Sequence, residues 1–184
     1  AWHGKVSNLK NFYRRAILEH EETKQLVDTI ASFSDTITTT SEEVKDHYEE
    51  NPYPRWRGVG APAFFLNPPE VLGRMELKVP DILLEGVSEP NILIAGCGTG
   101  RTAIESAFRF KNSKILAFDL SYQSLAYAKF HANRLGVGNI SFIQGDILDL
   151  QSLDKTFDII ECTGVLHHMK NPTDGLQKLS MACK

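Results

Sequence analysis

From Asn91 onward, short apolar runs alternate with stretches of helical periodicity. Strands are expected at 91–95 (NILIA), 115–119 (ILAFD), 140–143 (ISFI) and 157–161 (FDIIE). Each is a brief apolar run, too short for a helix and rich in β-branched or aromatic side chains. Helices are expected at about 101–110, 122–135 and 173–183. Strands alternating with helices imply an α/β fold: a doubly wound parallel sheet with right-handed crossovers.

The first ninety residues follow other patterns. Val6, Leu9, Tyr13 and Ile17 recur at helical spacing, and Leu26, Ile30 and Phe33 continue it. Thr40 and Glu43 have capping-box spacing and predict a further helix that ends near Glu50. Five prolines then fall between residues 51 and 69, at Pro52, Pro54, Pro62, Pro68 and Pro69. Proline removes backbone donors, so an extended linker is expected there. Its aromatic residues Tyr53, Trp56, Phe64 and Phe65 predict that it packs onto a domain. The expected division is a helical arm at 1–50, a linker at 51–88 and a core at 89–184.

Composition narrows the class. With 42% hydrophobic and 23% charged residues, the chain can bury a core. A net charge of −3 supplies no strong field for nucleic acid, so no nucleic-acid partner is expected. No apolar run reaches the length of a membrane span, and no secretory signal opens the chain. Cys97, Cys162 and Cys183 are widely spaced and form no zinc pattern, so no metal and a reducing, cytoplasmic setting are expected. The chain starts at Ala1 and stops at Lys184 within a helical pattern, which reads as a piece of a longer protein.

Candidate chemistry concentrates after the strands. Residues 92–100 read Ile-Leu-Ile-Ala-Gly-Cys-Gly-Thr-Gly, a buried strand that runs into Gly96, Cys97, Gly98 and Gly100. Glycines there let the backbone turn sharply and approach a ligand, and the next helix offers free N–H groups to an anion. A dinucleotide fingerprint needs a third glycine where Arg101 stands. That argues against a nicotinamide-dependent oxidoreductase and favours a smaller ligand with an amino-acid tail. Asp119 ends the next strand, 21 residues after Gly98, where a carboxylate can accept both hydroxyls of a ribose. Its alternative role as a helix cap is weakened by Ser121, itself a good cap. Gly145-Asp146-Ile147 follows the third strand: Asp146 could accept an adenine amino group, with Ile147 and Leu120 on either face of the ring, or simply shape a turn. Glu161 to His168 follow the fourth strand at the same sheet edge. Adjacent residues point different ways, so at most one of His167 and His168 faces a ligand as a general base. Otherwise they pack against or cap the helix that begins near Asn171-Pro172.

These motifs together resemble the seven-stranded, Rossmann-like class of S-adenosylmethionine-dependent methyltransferases. The resemblance is carried by ILIAGCGTG, FDLS at 118–121, QGDIL at 144–148 and FDIIECTGVLHHM at 157–169, and spans about residues 88–184. HYEENPYPRW at 47–56 is further similar to a bacterial subgroup whose methyltransferase domain follows tetratricopeptide-type helical repeats. The resemblance implies S-adenosylmethionine as cofactor. It puts Gly96, Gly98 and Gly100 at the methionine end, Asp119 on the ribose, Asp146 and Ile147 on adenine, and Thr163 and Gly164 near the sulfonium. It implies transfer of a methyl group to an acceptor, a small molecule, lipid or protein side chain; a non-catalytic cofactor-binding module is the alternative.

The family's domain continues beyond the last helix with a Pro-Gly-Gly turn and three further strands absent from this chain. The core is therefore expected to be incomplete, with Phe157, Ile159 and Ile160 on an unpaired edge that invites self-association unless the amino-terminal helices cover it. Tyr48, Tyr53 and Trp56 form either a lid over the cofactor or packing on the sheet edge. Asn67-Pro68-Pro69-Glu70 resembles a base-gripping N-P-P-aromatic loop, but Glu70 replaces the aromatic residue, and ECTG at 161–164 holds that loop's usual position.

Overall fold

A computed structural model describes residues 9–10, 13, 17–34, 49, 52, 54–56, 58–60, 65–78, 80 and 86–184. Among these, the elements are α1 (Glu19–Val27), α2 (Pro68–Arg74), β1 (Asn91–Ala95), α3 (Arg101–Arg109), β2 (Lys114–Asp119), α4 (Tyr122–Arg134), β3 (Ile140–Gln144), β4 (Ile159–Cys162) and α5 (Pro172–Met181). Short 3₁₀ turns cover Ile147–Leu153 and Leu166–His168. The strands form one parallel sheet in the order β3-β2-β1-β4. Both faces of β1 are covered. Ile92 and Ile94 meet α3 and α4, while Leu93 and Ala95 meet the 3₁₀ turn at 147–153 and α5. That explains why β1 reads as a continuous apolar run rather than an alternation.

The expected strands and helices of the core form with boundary shifts of one or two residues. At β4 the expected range of 157–161 is found at Ile159–Cys162. Alternate residues of a strand point their backbone groups to opposite sides. The Asp158 N–H therefore bonds β1, at the Asn91 carbonyl, while Phe157 faces outward. The Phe157 N–H donates to the Ala182 carbonyl at 2.9 Å, and its carbonyl accepts the Lys184 N–H at 3.0 Å. Phe157 is thus paired and buried, contrary to the unpaired edge expected there. The chain's own residues after α5 take up that position.

The amino-terminal segment covers the opposite edge. Helix α1 packs along α4, and Glu19 meets Arg134 at 2.8 Å. The chain then runs beside the end of β3: the Gln144 N–H donates to the Ala31 carbonyl, and the Phe33 N–H to the Gln144 carbonyl. The Phe33 ring stands edge-on to Phe118 with centroids 5.4 Å apart.

The proline-rich stretch is more structured than a linker. Pro68 occupies the first position of α2, where its missing N–H costs nothing. Glu70 Oε2 reaches back to accept the Asn67 N–H at 3.1 Å. Asn67-Pro68-Pro69-Glu70 is therefore a helix start, not a base-gripping loop. Leu66 pairs with both sides of Phe110 through the Arg109 carbonyl and the Lys111 N–H. Trp56 is buried against Tyr127 and His131, at centroid distances of 6.0 and 4.5 Å. The helix expected from Thr40 and Glu43, and the residues Tyr48, Tyr53 and Phe64, lie outside the described residues. Among the described residues, no helix is long and apolar enough to cross a membrane.

Trp56 joins the pre-core segment to α4, so its removal tests whether that segment folds with the core. Trp56→Ala is expected to cost about 3–5 kcal/mol in urea unfolding followed by circular dichroism, within a single transition. A loss below about 1 kcal/mol would mean that the segment rests on the core without stabilising it.

Candidate functional site

Four loops meet at the carboxyl ends of the strands, the edge at which open α/β sheets bind ligands. The first follows β1. Gly96 has φ +67° and Gly98 φ +51°, so both lie in the left-handed region. A Cβ on Gly96 would stand 2.2 Å from Val165 Cγ2, so the loops after β1 and β4 touch there. Gly100 behaves differently. It is buried, and a Cβ on it would stand 2.4 Å from the Ala128 Cβ of α4. It is not among the residues that border the cavity described below. That glycine allows α3 to start close against α4.

A cavity of about 830 Å³ opens between these loops. Its walls include Gly96, Cys97 and Gly98 from the first loop, Asp119 and Leu120 from the second, Asp146 and Ile147 from the third, and Thr163, Gly164 and His168 from the fourth. Asp119 Oδ2 accepts the Gly98 N–H at 2.7 Å, and Oδ1 accepts the Ser121 N–H at 3.1 Å. Each oxygen keeps a further lone pair for a donor in the cavity. Burial pushes the Asp119 pKa up, opposed by the N–H groups of Ser121, Gly98 and Leu120, while the nearby Glu49 charge adds to the rise.

Asp146 is 2% exposed and half satisfied. Its Oδ1 accepts the Leu148 N–H at 2.9 Å, while Oδ2 is buried with no hydrogen-bond partner. A buried, unpaired carboxylate oxygen is costly. Its position in the cavity wall fits a ligand that supplies an N–H or O–H donor. Ile147 and Leu120 give this end apolar walls. The Cys97 thiol is buried, and its pKa is pushed up first by burial and then by the Asp119 charge. It stays protonated and unsuited to nucleophilic attack.

The two histidines separate. His168 borders the cavity and His167 does not, although their rings lie 4.0 Å apart. Both are exposed, and the cap of α5 is supplied by Asn171, whose side chain accepts the Thr173 N–H. Glu161, in the same motif, points away from the cavity. Ser106 Oγ lies 2.8 and 2.9 Å from its two oxygens, Arg109 sits at 3.6 Å, and burial raises its pKa.

Three contacts around the site were not foreseen from the sequence. Thr99 Oγ1 donates to the Pro54 carbonyl at 2.7 Å, and Pro54 itself borders the cavity. Trp56 Nε1 donates to the Thr99 carbonyl at 3.0 Å. Trp56 therefore supports the glycine loop instead of covering the cofactor as a lid. Glu49 caps α4 from more than seventy residues away, a contact that local spacing does not reveal.

The fold and the site together define an α/β protein that holds a small, donor-bearing ligand at the carboxyl edge of a parallel sheet. The chain belongs to the methyltransferase-domain family, whose model matches residues 88–184. The family brings S-adenosylmethionine as its cofactor. Among curated relatives, an uncharacterized protein of Synechococcus is 33% identical over 82% of this chain and 35% of its own length. A probable (S)-tetrahydroprotoberberine N-methyltransferase of Papaver bracteatum is 35% identical over 48% of this chain and 25% of its own. The chain thus spans about a third or less of these relatives. Among solved structures, the magnesium protoporphyrin IX methyltransferase of Synechocystis shares the fold, with a TM-score of 0.56 at 20% identity over 82% of this chain and 75% of that one.

Gly96→Ala tests the contact between the loops. Its Cβ would collide with Val165 in a backbone conformation that alanine disfavours. The variant is expected to remain folded and to lose S-adenosylhomocysteine binding in calorimetry; normal affinity would show that this loop does not cradle the ligand.

Proposed function

We propose that this chain is the cofactor-binding part of an S-adenosylmethionine-dependent methyltransferase. The observation that carries the reading is the paired carboxylates of one cavity. Asp119 has lone pairs free for two hydroxyls, and Asp146 has a buried oxygen that lacks a donor. An adenosine fits that set: Asp119 takes the ribose hydroxyls, Asp146 Oδ2 the adenine amino group, and Leu120 and Ile147 flank the ring. Gly96, Cys97 and Gly98 line the methionine end, and Thr163 and Gly164 border the reacting centre.

S-adenosylmethionine supplies a methyl carbon activated by a sulfonium. The protein's task is to hold that centre in line with the acceptor and to exclude water, so alignment contributes much of the rate. An oxygen or nitrogen acceptor sheds a proton as it gains the methyl group. His168, on the cavity wall, is the base assigned to that proton; His167 stands beside it as a neighbour. The acceptor is a small molecule, a lipid or a protein side chain. Three free cysteines support a reducing, cytoplasmic setting.

Asp119→Ala is expected to weaken S-adenosylhomocysteine binding about ten- to a hundredfold, through loss of about 1.5–3 kcal/mol of charge-assisted hydrogen bonding. Equal affinity in a folded variant would remove the ribose assignment. In the intact protein, His168→Ala is expected to lower turnover with cofactor affinity unchanged, and His167→Ala to leave both near wild type. If neither substitution changes turnover, no histidine base is used. If the intact protein binds the cofactor and transfers no methyl group to any component of a cell extract, the non-catalytic module is correct.

A further inference from the structure

Glu49 precedes the core, yet its carboxylate lies against the first turn of α4. Its Oε1 accepts the Tyr122 N–H at 3.0 Å, and its Oε2 accepts the Gln123 N–H at 2.9 Å and the Ser121 hydroxyl at 3.2 Å. The first N–H groups of a helix normally go to a local cap, to water or to a bound anion. Here the anion comes from a distant part of the same chain. Ser121 links it to the cavity: its hydroxyl meets Glu49, and its N–H holds Asp119 Oδ1 at 3.1 Å. Glu49 does not border the cofactor cavity, so any influence on the ligand passes through Ser121 and Asp119.

We propose that Glu49 is a positioning residue of the cofactor site: it fixes Ser121 and the start of α4, and thereby holds Asp119 toward the cavity. This rests on the reading of Asp119 as the ribose acceptor. The neighbouring segment supports it, because Pro54 and Trp56 tie the same stretch of chain to Thr99 in the glycine loop. Two sides of the ligand site are thus held by Glu49, Pro54 and Trp56.

The charge argument has a definite sign. The titratable and charged groups that line the cavity with Asp119 are Cys97 from the glycine loop, Arg101 from α3, Asp146 from the loop after β3, His168 and Lys170 from the loop after β4, and Asp174 from α5. Arg101 is engaged with Glu105 at 2.9 Å, and the first turn of α4 carries no acid. Glu49 is the carboxylate that raises the Asp119 pKa alongside burial. Ribose hydroxyls donate best to the ionised form, so affinity falls as the pH drops through that raised value. Removing the Glu49 charge must move this acid limb to lower pH. A residue that only stabilises the fold would leave the limb where it is.

The test is calorimetric titration of the 184-residue chain with S-adenosylhomocysteine from acid to neutral pH, with thermal melts alongside. Glu49→Gln keeps the size and loses the charge. It is expected to weaken neutral-pH binding about five- to tenfold and to move the acid limb to lower pH. Glu49→Asp keeps the charge and shortens the reach. It is expected to share the loss of affinity while its limb stays with the wild type. Wild-type affinity in Glu49→Gln, or a limb that does not move, overturns the proposal whatever the melting temperature. If Glu49→Gln does not fold, Glu49→Asp decides: reduced affinity supports the proposal, and unchanged affinity overturns it. Wild-type protein that binds no S-adenosylhomocysteine overturns the cofactor reading itself, and this inference with it.

Discussion

Asp119 ends β2 and accepts the Gly98 N–H across the strand boundary at 2.7 Å, while its second oxygen holds the Ser121 N–H. Two crossovers therefore close on one carboxylate. The loop after β1 has left-handed residues at 96, 98 and 100, a conformation that a free chain would rarely keep. Here each turn of it is bonded: the Cys97 N–H to the Phe118 carbonyl, the Gly98 N–H to Asp119, the Gly100 N–H to the Cys97 carbonyl and the Thr99 hydroxyl to Pro54. The protein's own groups hold the loop in shape, which lowers the ordering cost of binding. The same carboxylate both builds the loop and faces the cavity.

The segment before the core shares in that construction. A four-stranded sheet has two edges. Residues 31–33 run beside the β3 end, and residues 182–184 take the start of the β4 edge. Between them, Trp56 packs against Tyr127 and His131 on the outer side of α4, and Glu49 holds the start of the same helix. Desolvation in this aromatic cluster lowers the His131 pKa, so the ring stays neutral at neutral pH and packs as an apolar group. Helix α4 is therefore fixed at its first turn and along its outer face by residues that a motif search assigns to a different part of the chain.

The parallel sheet was legible because β1 to β4 carry local signals: brief apolar runs followed by turn residues. The cavity was largely legible for the same reason, since Gly96, Gly98, Asp119, Asp146 and Thr163 each stand at the end of a recognisable strand. Contacts that depend on tertiary packing were not. Gly100 looked like a third ligand glycine, but its requirement comes from Ala128, nearly thirty residues on. Phe157 looked like a bare edge residue because its partners lie beyond the next helix. The prolines at 68 and 69 read as linker, although Asn67 and Glu70 around them carry capping-box spacing; that signal was local and was outweighed by proline count. Glu49 lies within HYEENPYPRW, but nothing local pointed to α4, because the groups it bonds are brought near only by the folded sheet.

The ligand site is costly to the empty protein, and the cost indicates what the ligand must supply. Asp119 is buried enough for its pKa to rise despite the Gly98 and Ser121 N–H groups bonded to it, and Asp146 keeps one oxygen without any donor. A sequence selected only for stability would replace either carboxylate with an uncharged residue, because a buried acceptor without a donor opposes folding. A ligand that brings hydrogen-bond donors to those positions would offset their cost. Such donors add to binding more than they would at an exposed carboxylate, since the desolvation has already been incurred in folding.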